Sequence, residues 1–393
     1  MTPWELNFEV AFDVNPGNEP DPADWTDLSD RLWGGADIDV GWGDTAARGS
    51  LTLLNRDRHL DPTNSSSPYT LDPMRHCRLT VTVDGTPHGL FRGFVKGWTP
   101  AWPQYNEART TVTLLNATSL VATQDDEVDL PRQRTGTRIN DLLDQAGWPA
   151  ARRQIDDGVV WVAETQLETA NLLQVMSDTA DAEEGELYVD PSGDIVFRDR
   201  HNRFDADVAA TVAIYGDGDV PAHDLVSAGV ATDFSAAEVS NVARVELANG
   251  NVYQFDDDMF ETPSGSIGRV GKRVLPVRDL SWPPHEATAA AQWLVARFAE
   301  SHIWLTQLSV DGRMDEQLPS VLDVGVGDRL RFLHRPPGGG DVEVECCVET
   351  VRHRIGNGRW ITSWTSEPYF GAGPWAKWDV AGNGWDQGAK WAP

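Results

Sequence analysis

At 393 residues, 40% hydrophobic and 24% charged, the chain is long enough for about two to four domains with real cores, and its composition is globular. No run of about 18 apolar residues occurs, so no membrane span is expected, and MTPWELNFEV lacks the basic and apolar regions of a secretory signal, which places synthesis in a cytoplasm. The formal net charge of −29, from 61 acidic and 32 basic residues, argues against stable nucleic-acid binding but suits a wall past which DNA slides without sticking.

Residues 1–122 read as β. Leu6, Phe8, Val10 and Phe12 alternate with polar neighbours between Glu5 and Val14, the pattern of a half-buried strand. Similar alternation follows at Ile38 to Trp42, Ala47 to Leu54, Cys77 to Val83, Leu90 to Trp98 and Thr110 to Asn116. Turn-rich pieces separate these runs, and strands at this spacing predict a closed or nearly closed β-barrel.

The period then changes. Residues 123–204 predict a small α+β domain, with helices over Arg138 to Ala146, stopped by Gly147, and over Thr169 to Ala180. A hairpin follows between Gly185 and Phe197, turning at Pro191-Ser192-Gly193-Asp194.

Residues 205–285 form a β-rich connecting segment, with a hairpin of Asn241 to Leu247 and Val252 to Phe255. Residues 286–370 predict a second β-barrel behind a long helix, Glu286 to His302. Its strands are Ile303 to Val310, Arg329 to His334, Val342 to Arg354 and Arg359 to Glu367. The predicted fold class is therefore mainly β, with two barrel-type domains connected by α+β pieces. Cys346 and Cys347 fall in one alternating strand, so one thiol should face the core and the other the opposite face, while Cys77 stands alone; none has metal-site spacing.

Candidate chemistry is sparse. Gly216-Asp217-Gly218-Asp219 lacks the ligand spacing of a calcium loop, and Asp256-Asp257-Asp258 reads as a solvated turn. Asp125, Asp126, Glu127 and Asp129 read as a linker charge run. There is no HExxH, GxSxG, phosphate-binding or dinucleotide motif, so no enzyme, metal or cofactor is expected. The chain does carry 17 Trp against 6 Tyr. In residues 371–393 Trp375, Trp378, Trp385 and Trp391 are spaced by Gly, Ala, Asp and Lys. Large aromatics on a flexible segment mark a partner-binding surface, and these four are the candidate partner-binding residues.

One stretch has a family likeness. Gly43-Asp44-Thr45-Ala46-Ala47-Arg48-Gly49-Ser50-Leu51-Thr52-Leu53-Leu54-Asn55-Arg56-Asp57-Arg58-His59-Leu60-Asp61-Pro62 continues through Asn64, Ser67-Pro68-Tyr69, Pro73 to Leu79 and Leu90-Phe91-Arg92-Gly93. This resembles the N-terminal barrel of minor tail proteins of actinobacterial siphophages, which are similar to the baseplate-hub family of contractile phages. Arg138-Ile139-Asn140-Asp141-Leu142-Leu143-Asp144 through Trp148, then Gly185 to Asp190, extend the likeness over roughly the first half of the chain. The resemblance implies a homotrimer at the tail tip of a virion. Two barrels per subunit would make a ring of six, with a distal tail ring protein above, a central fibre or spike protein below and DNA passing through. The alternative reading is a carbohydrate-binding tail protein that meets the host envelope through surface Trp. A cell-wall hydrolase ranks third, since nothing singles out a carboxylate pair among the acidic residues.

Overall fold

The computed structural model describes residues 4–41, 48–104, 107–200, 202, 211–216, 223–224, 230–233, 239–247, 251–256, 267–279, parts of 287–299, 304–311, 318–334, 338–356, 358–368, 375–376 and 390–391. The N-terminal half forms β1 (Trp4–Ala11), β2 (Thr26–Asp27), β3 (Leu32–Gly41), β4 (Arg48–Leu54), β5 (Arg75–Val83), β6 (Thr86–Gln104) and β7 (Glu107–Leu115). They lie side by side in the order β3-β4-β7-β6-β5-β1-β2. The β5–β6 turn, Asp84-Gly85, takes the positive φ at both residues (49° and 80°) that a two-residue hairpin needs.

The loop after β4 carries the family-like motif, and its geometry explains the residue types. Asn55 is buried; its Oδ1 accepts from the Leu60 amide and its Nδ2 donates to Thr110 Oγ1, both at 2.9 Å. Thr110 Oγ1 in turn donates to the Leu60 carbonyl at 2.9 Å. Buried Asp61 accepts from the Thr63 amide, the Thr63 hydroxyl and the Arg58 guanidinium. The motif is thus a side-chain-closed turn pinned to β7.

An α+β insert follows: α1 (Thr118–Val121), β8 (Asp125–Leu130), β9 (Gln133–Arg134), α2 (Thr135–Gln145), β10 (Arg153–Ile155), β11 (Trp161–Val162), β12 (Thr165–Asn171), α3 (Leu172–Glu183), β13 (Glu186–Val189) and β14 (Ile195–Arg198). Gly147, at φ 70°, ends α2 as expected. The helix predicted from Thr169 instead begins at Leu172. Thr169 to Asn171 belong to β12, where Ala170 and Asn171 pair with β8, and the Asn171 side chain caps the helix by accepting from the Gln174 amide at 3.2 Å. Glu183, fully buried at the end of α3, accepts from Thr135 Oγ1 and from the Val159 and Val160 amides at 2.7–3.0 Å, with the Arg200 guanidinium 3.4 Å away. These donors compensate its desolvation.

The C-terminal half contributes β15 (Thr211–Gly216), β16 (His223–Asp224), β17 (Val230–Asp233), β18 (Val242–Leu247), β19 (Val252–Asp256), β20 (Val274–Asp279), β21 (Trp304–Asp311), β22 (Arg329–His334), β23 (Val342–Gly356) and β24 (Arg359–Pro368). Strands β19-β18-β20 form a separate sheet. Ala243, Val245 and Leu247 of that sheet pack in one core with Ala287, Ala291, Leu294 and Val295 of the predicted helix. Both Cys346 and Cys347 are buried, so both faces of β23 are covered at this point.

The two halves repeat one topology. β3-β4-β7-β6-β5 and β17-β21-β24-β23-β22 have the same chain order, the same spatial order and antiparallel pairing throughout. Each long strand carries a one-residue bulge against its hairpin partner, β6 at Lys96 and β23 at Glu349, and β6 has a further register shift between Ala101 and Gln104. The repeats diverge at the next position, where β1 runs antiparallel to β5 but β15 runs parallel to β22.

Of the closed or nearly closed barrel expected in the first half and the second barrel expected after it, neither is closed among the described residues. β3 hydrogen-bonds to β23, fusing both halves into one 14-stranded sheet, and no closed ring of strands occurs among the described residues. β1 pairs on its outer edge with β2 only at Glu9 and Val10, and a gap between its Trp4–Leu6 and the Leu32–Gly35 stretch of β3 keeps the first half open. The mainly β class stands. Side chains of both halves, among them Phe8, Leu53, Leu79, Leu308, Trp360 and Trp364, share one core.

Candidate functional site: the seam and the three-way junction

The seam is the place where sequence-distant segments become one object. Ala36 to Gly41 of β3 pair antiparallel with Ile355 to Thr350 of β23. Across it Arg352 grips Asp37 with two hydrogen bonds, Nε to Oδ1 at 2.9 Å and Nη2 to Oδ2 at 2.7 Å. At the end of the pairing Gly35 holds φ at 102°, and a Cβ there would lie 1.7 Å from the Ile355 carbonyl oxygen. A Cβ on Gly356 would lie 2.4 Å from the Gly34 oxygen, so both strands need glycine for this approach.

Behind the seam runs a buried polar relay. Trp360 Nε1 donates to Thr362 Oγ1 at 3.0 Å and lies 3.4 Å from His353 Nδ1, which shares a 2.9 Å hydrogen bond with Thr362 Oγ1. The indole N–H of Trp360 can only donate, so its approach to Nδ1 favours an unprotonated Nδ1 and a neutral His353. Burial pushes the His353 pKa down to about 4. Trp4 packs edge-on against Trp360, with ring centroids 5.4 Å apart.

His353 also lines a cavity of about 130 Å³ where all three parts of the chain meet. Leu90 comes from the N-terminal half, Tyr188 and Pro191 from the insert hairpin, and Val326 and Val351 from the C-terminal half. Burial raises the Tyr188 phenol to about 12 and the Asp190 carboxyl above its ordinary value. This arrangement suits a packed joint: its walls are chiefly aliphatic, and its histidine is already engaged on one nitrogen.

The candidate partner-binding residues fall mostly outside the described structure. The backbones of Trp375 and Trp391 lie in β25 (Trp375–Ala376) and β26 (Lys390–Trp391), which pair in parallel; Trp378 and Trp385 lie outside the described residues. Asp256 ends β19, with Lys272 Nζ 3.6 Å from its carboxylate, whereas Asp257, Asp258 and Asp217 to Asp219 lie outside the described residues. Among the described residues no group of three or more His, Cys, Asp or Glu is placed to hold a metal ion. None of the described helices is long and apolar enough to cross a membrane.

Among the described residues three at least partly exposed tryptophans have a guanidinium against the ring. Arg109 lies 3.3 Å from the Trp33 centroid, Arg78 4.3 Å from that of Trp25 and Arg132 5.0 Å from that of Trp161. Trp102, on β6, is 57% exposed, the highest value among the large hydrophobics described. Reading the sequence alone passed over Trp102, Asp37, Arg352 and His353. Only the Gly34-Gly35 pair ahead of an alternating strand hinted at a close backbone approach there.

Comparison with solved structures places this architecture. A tail protein from Neisseria meningitidis MC58 superposes with a TM-score of 0.60 at 11% identity, covering 92% of this chain and 97% of that one. The 43 kDa tail protein of prophage MuSo2 from Shewanella oneidensis gives 0.59 at 12%, covering 93% and 98%. This is a phage tail-protein fold. Prophage tail protein gp18 from Listeria monocytogenes EGD-e gives 0.50 at 12%, covering 93% and 95%. No family model matches the sequence, and no curated protein is significantly similar to it. The near-complete coverage on both sides means that the insert and both halves of the sheet belong to the shared fold.

Proposed function

We propose that the chain is a structural, non-enzymatic hub subunit at the tip of a phage tail. It forms a homotrimer that joins the distal tail ring to a central fibre or spike and surrounds the DNA exit channel. The observation that carries this reading is the duplicated five-strand topology. A tail ring that is six-fold has to meet a three-fold hub, and a chain that presents the same strand arrangement twice offers six similar surfaces from three copies. The tail-protein fold, over nearly its full length, supports the same assignment. The high acidic content fits a wall along which DNA moves without being held.

Electron microscopy of the particle with the chain labelled, together with the native mass of the purified protein, tests the proposal. Label at the tail tip and a mass of three chains are expected. A label distributed along the tail tube, or a stable dimer, would remove the hub role.

A further inference from the structure

The duplication carries a specific consequence. In β23 one edge is used twice: β22 pairs with Val342 to Cys347, and beyond the bulge β3 pairs with Thr350 to Ile355. In β6, its counterpart, β5 pairs with Thr86 to Val95, and the stretch beyond the bulge has no strand on that edge among the described residues. β17, the counterpart of β3, likewise pairs only with β21 among the described strands. Among the described residues the chain therefore fills one such seam internally and leaves both halves of a second one without a strand.

We propose that the open halves meet between copies: β17 of one subunit pairs with the Gly97–Trp102 stretch of β6 in the next. The inference rests on the hub reading for its ring and names the surface that closes it. Aligning the repeats on their bulges, Lys96 with Glu349, sets Pro100 on His353, Ala101 on Arg354 and Trp102 on Ile355. The same alignment superposes Thr110, opposite Pro100, on Thr362, opposite His353; both are fully buried. In the other partner, Ala36 lies opposite Leu51 and Val230 opposite Leu308, so Asp37 corresponds to Ala231. The internal pair Asp37–Arg354 thus maps onto Ala231 of one copy facing Ala101 of the next.

Burial follows the same logic. Ile355 is 4% exposed within the internal seam, whereas Trp102 in the equivalent place is 57% exposed in the single chain. Ala231 and Thr232 on the complementary strand are exposed as well. Such a contact is head-to-tail: it uses different surfaces on the two copies and closes into a ring when the rotation permits. Pro100 lacks a donor and Pro103 ends the stretch, so the seam leans on the burial of Trp102. The prolines also keep the bare edge from pairing indiscriminately before assembly.

The test is a cysteine pair in the full-length protein. Paired residues on neighbouring antiparallel strands have Cα atoms about 4.5–5.5 Å apart, within disulfide range, and the native Cys77, Cys346 and Cys347 are buried. Under mild oxidation Ala101→Cys/Ala231→Cys should give covalent dimers and trimers, each single variant none, and a mixture of the two singles only dimers. Trp102→Asp should weaken trimer formation by at least about tenfold, read as the concentration at half-assembly, with an unchanged near-ultraviolet spectrum. Cross-linking by either single variant alone overturns the seam. So does a native trimer whose double variant fails to cross-link, although the hub reading then survives. A chain that is monomeric both in solution and in the particle overturns the two together.

Discussion

Arg352 and Asp37 stand 315 positions apart in the chain and are joined by two hydrogen bonds, of 2.9 and 2.7 Å, across the line where the halves of the sheet meet. Both side chains are about 40% exposed, so solvent screens the pair and its main effect is to select register. Asp37→Ala should cost less than about 1 kcal/mol in urea unfolding. Gly35→Ala should cost about 3 kcal/mol or more, because its Cβ meets the Ile355 oxygen and its φ disfavours a side chain. Equal costs for the two variants would mean that charge and not close backbone contact holds the seam.

His353 predicts a pH dependence with a definite sign. Its folded pKa, about 4, lies below the ordinary value of 6.5, so the unfolded chain takes up the proton first. The stabilisation is complete above pH 6.5 and declines as pH falls towards 4, by about 3 kcal/mol in all. His76, also lowered by burial, acts in the same direction, whereas Asp190 and Asp328, both raised, gain stability as pH falls. The clean measurement is therefore the difference between wild type and His353→Gln. That difference should shrink between pH 6.5 and 4, and a constant gap would refute the assignment.

Asn55 closes the turn after β4 through two side-chain hydrogen bonds, to Leu60 and Thr110, and Thr110 adds a third to Leu60. Asn55→Ala leaves the buried Leu60 amide without its acceptor and should destabilise the fold by about 2 kcal/mol. Thr110→Val should cost a similar amount, and the double variant less than the sum, since the two side chains serve one network.

Much of the sheet was legible in the sequence because its strands alternate. Leu6, Phe8 and Val10, or Leu330 and Phe332, announce a buried face wherever they lie in the chain. Pairing between strands far apart leaves no such trace. Nothing near Ile38 specifies His353 as its neighbour, and the repeat of topology is carried by bulges at Lys96 and Glu349, which share no residue type. The alternation of β6 predicts a strand only to Trp98, since Pro100 and Pro103 resemble a strand end, and no pattern marks Trp102 between them. The candidate tail was found by composition, which gives residue types without geometry.

The tail makes its own prediction. Truncation after Phe370 removes β25 and β26, whose described strand pairing is with each other, and should leave the unfolding transition of the remainder unchanged. If Trp375, Trp378, Trp385 and Trp391 seat on the next tail component, particles built with the truncated chain should lack that component. Normal infectious particles would retire this role for the tail.

With 61 acidic residues against 32 basic ones, the purified protein should not retard double-stranded DNA in a gel even at low salt. Retardation that weakens as salt rises would contradict the picture of a repelling channel wall.

The pairing of β3 with β23 has a consequence for the newborn chain. β3 ends at Gly41 and β23 begins at Val342, so the first strand leaves the ribosome about 300 residues before its partner exists. At about 5–20 residues per second, the outer edge of β3 waits tens of seconds with its hydrogen-bonding groups bare. During that interval a neighbouring nascent chain offers the same edge. Asp37 and Asp39 place like charges along it, which opposes pairing of β3 with a copy of itself until Arg352 arrives to donate to Asp37.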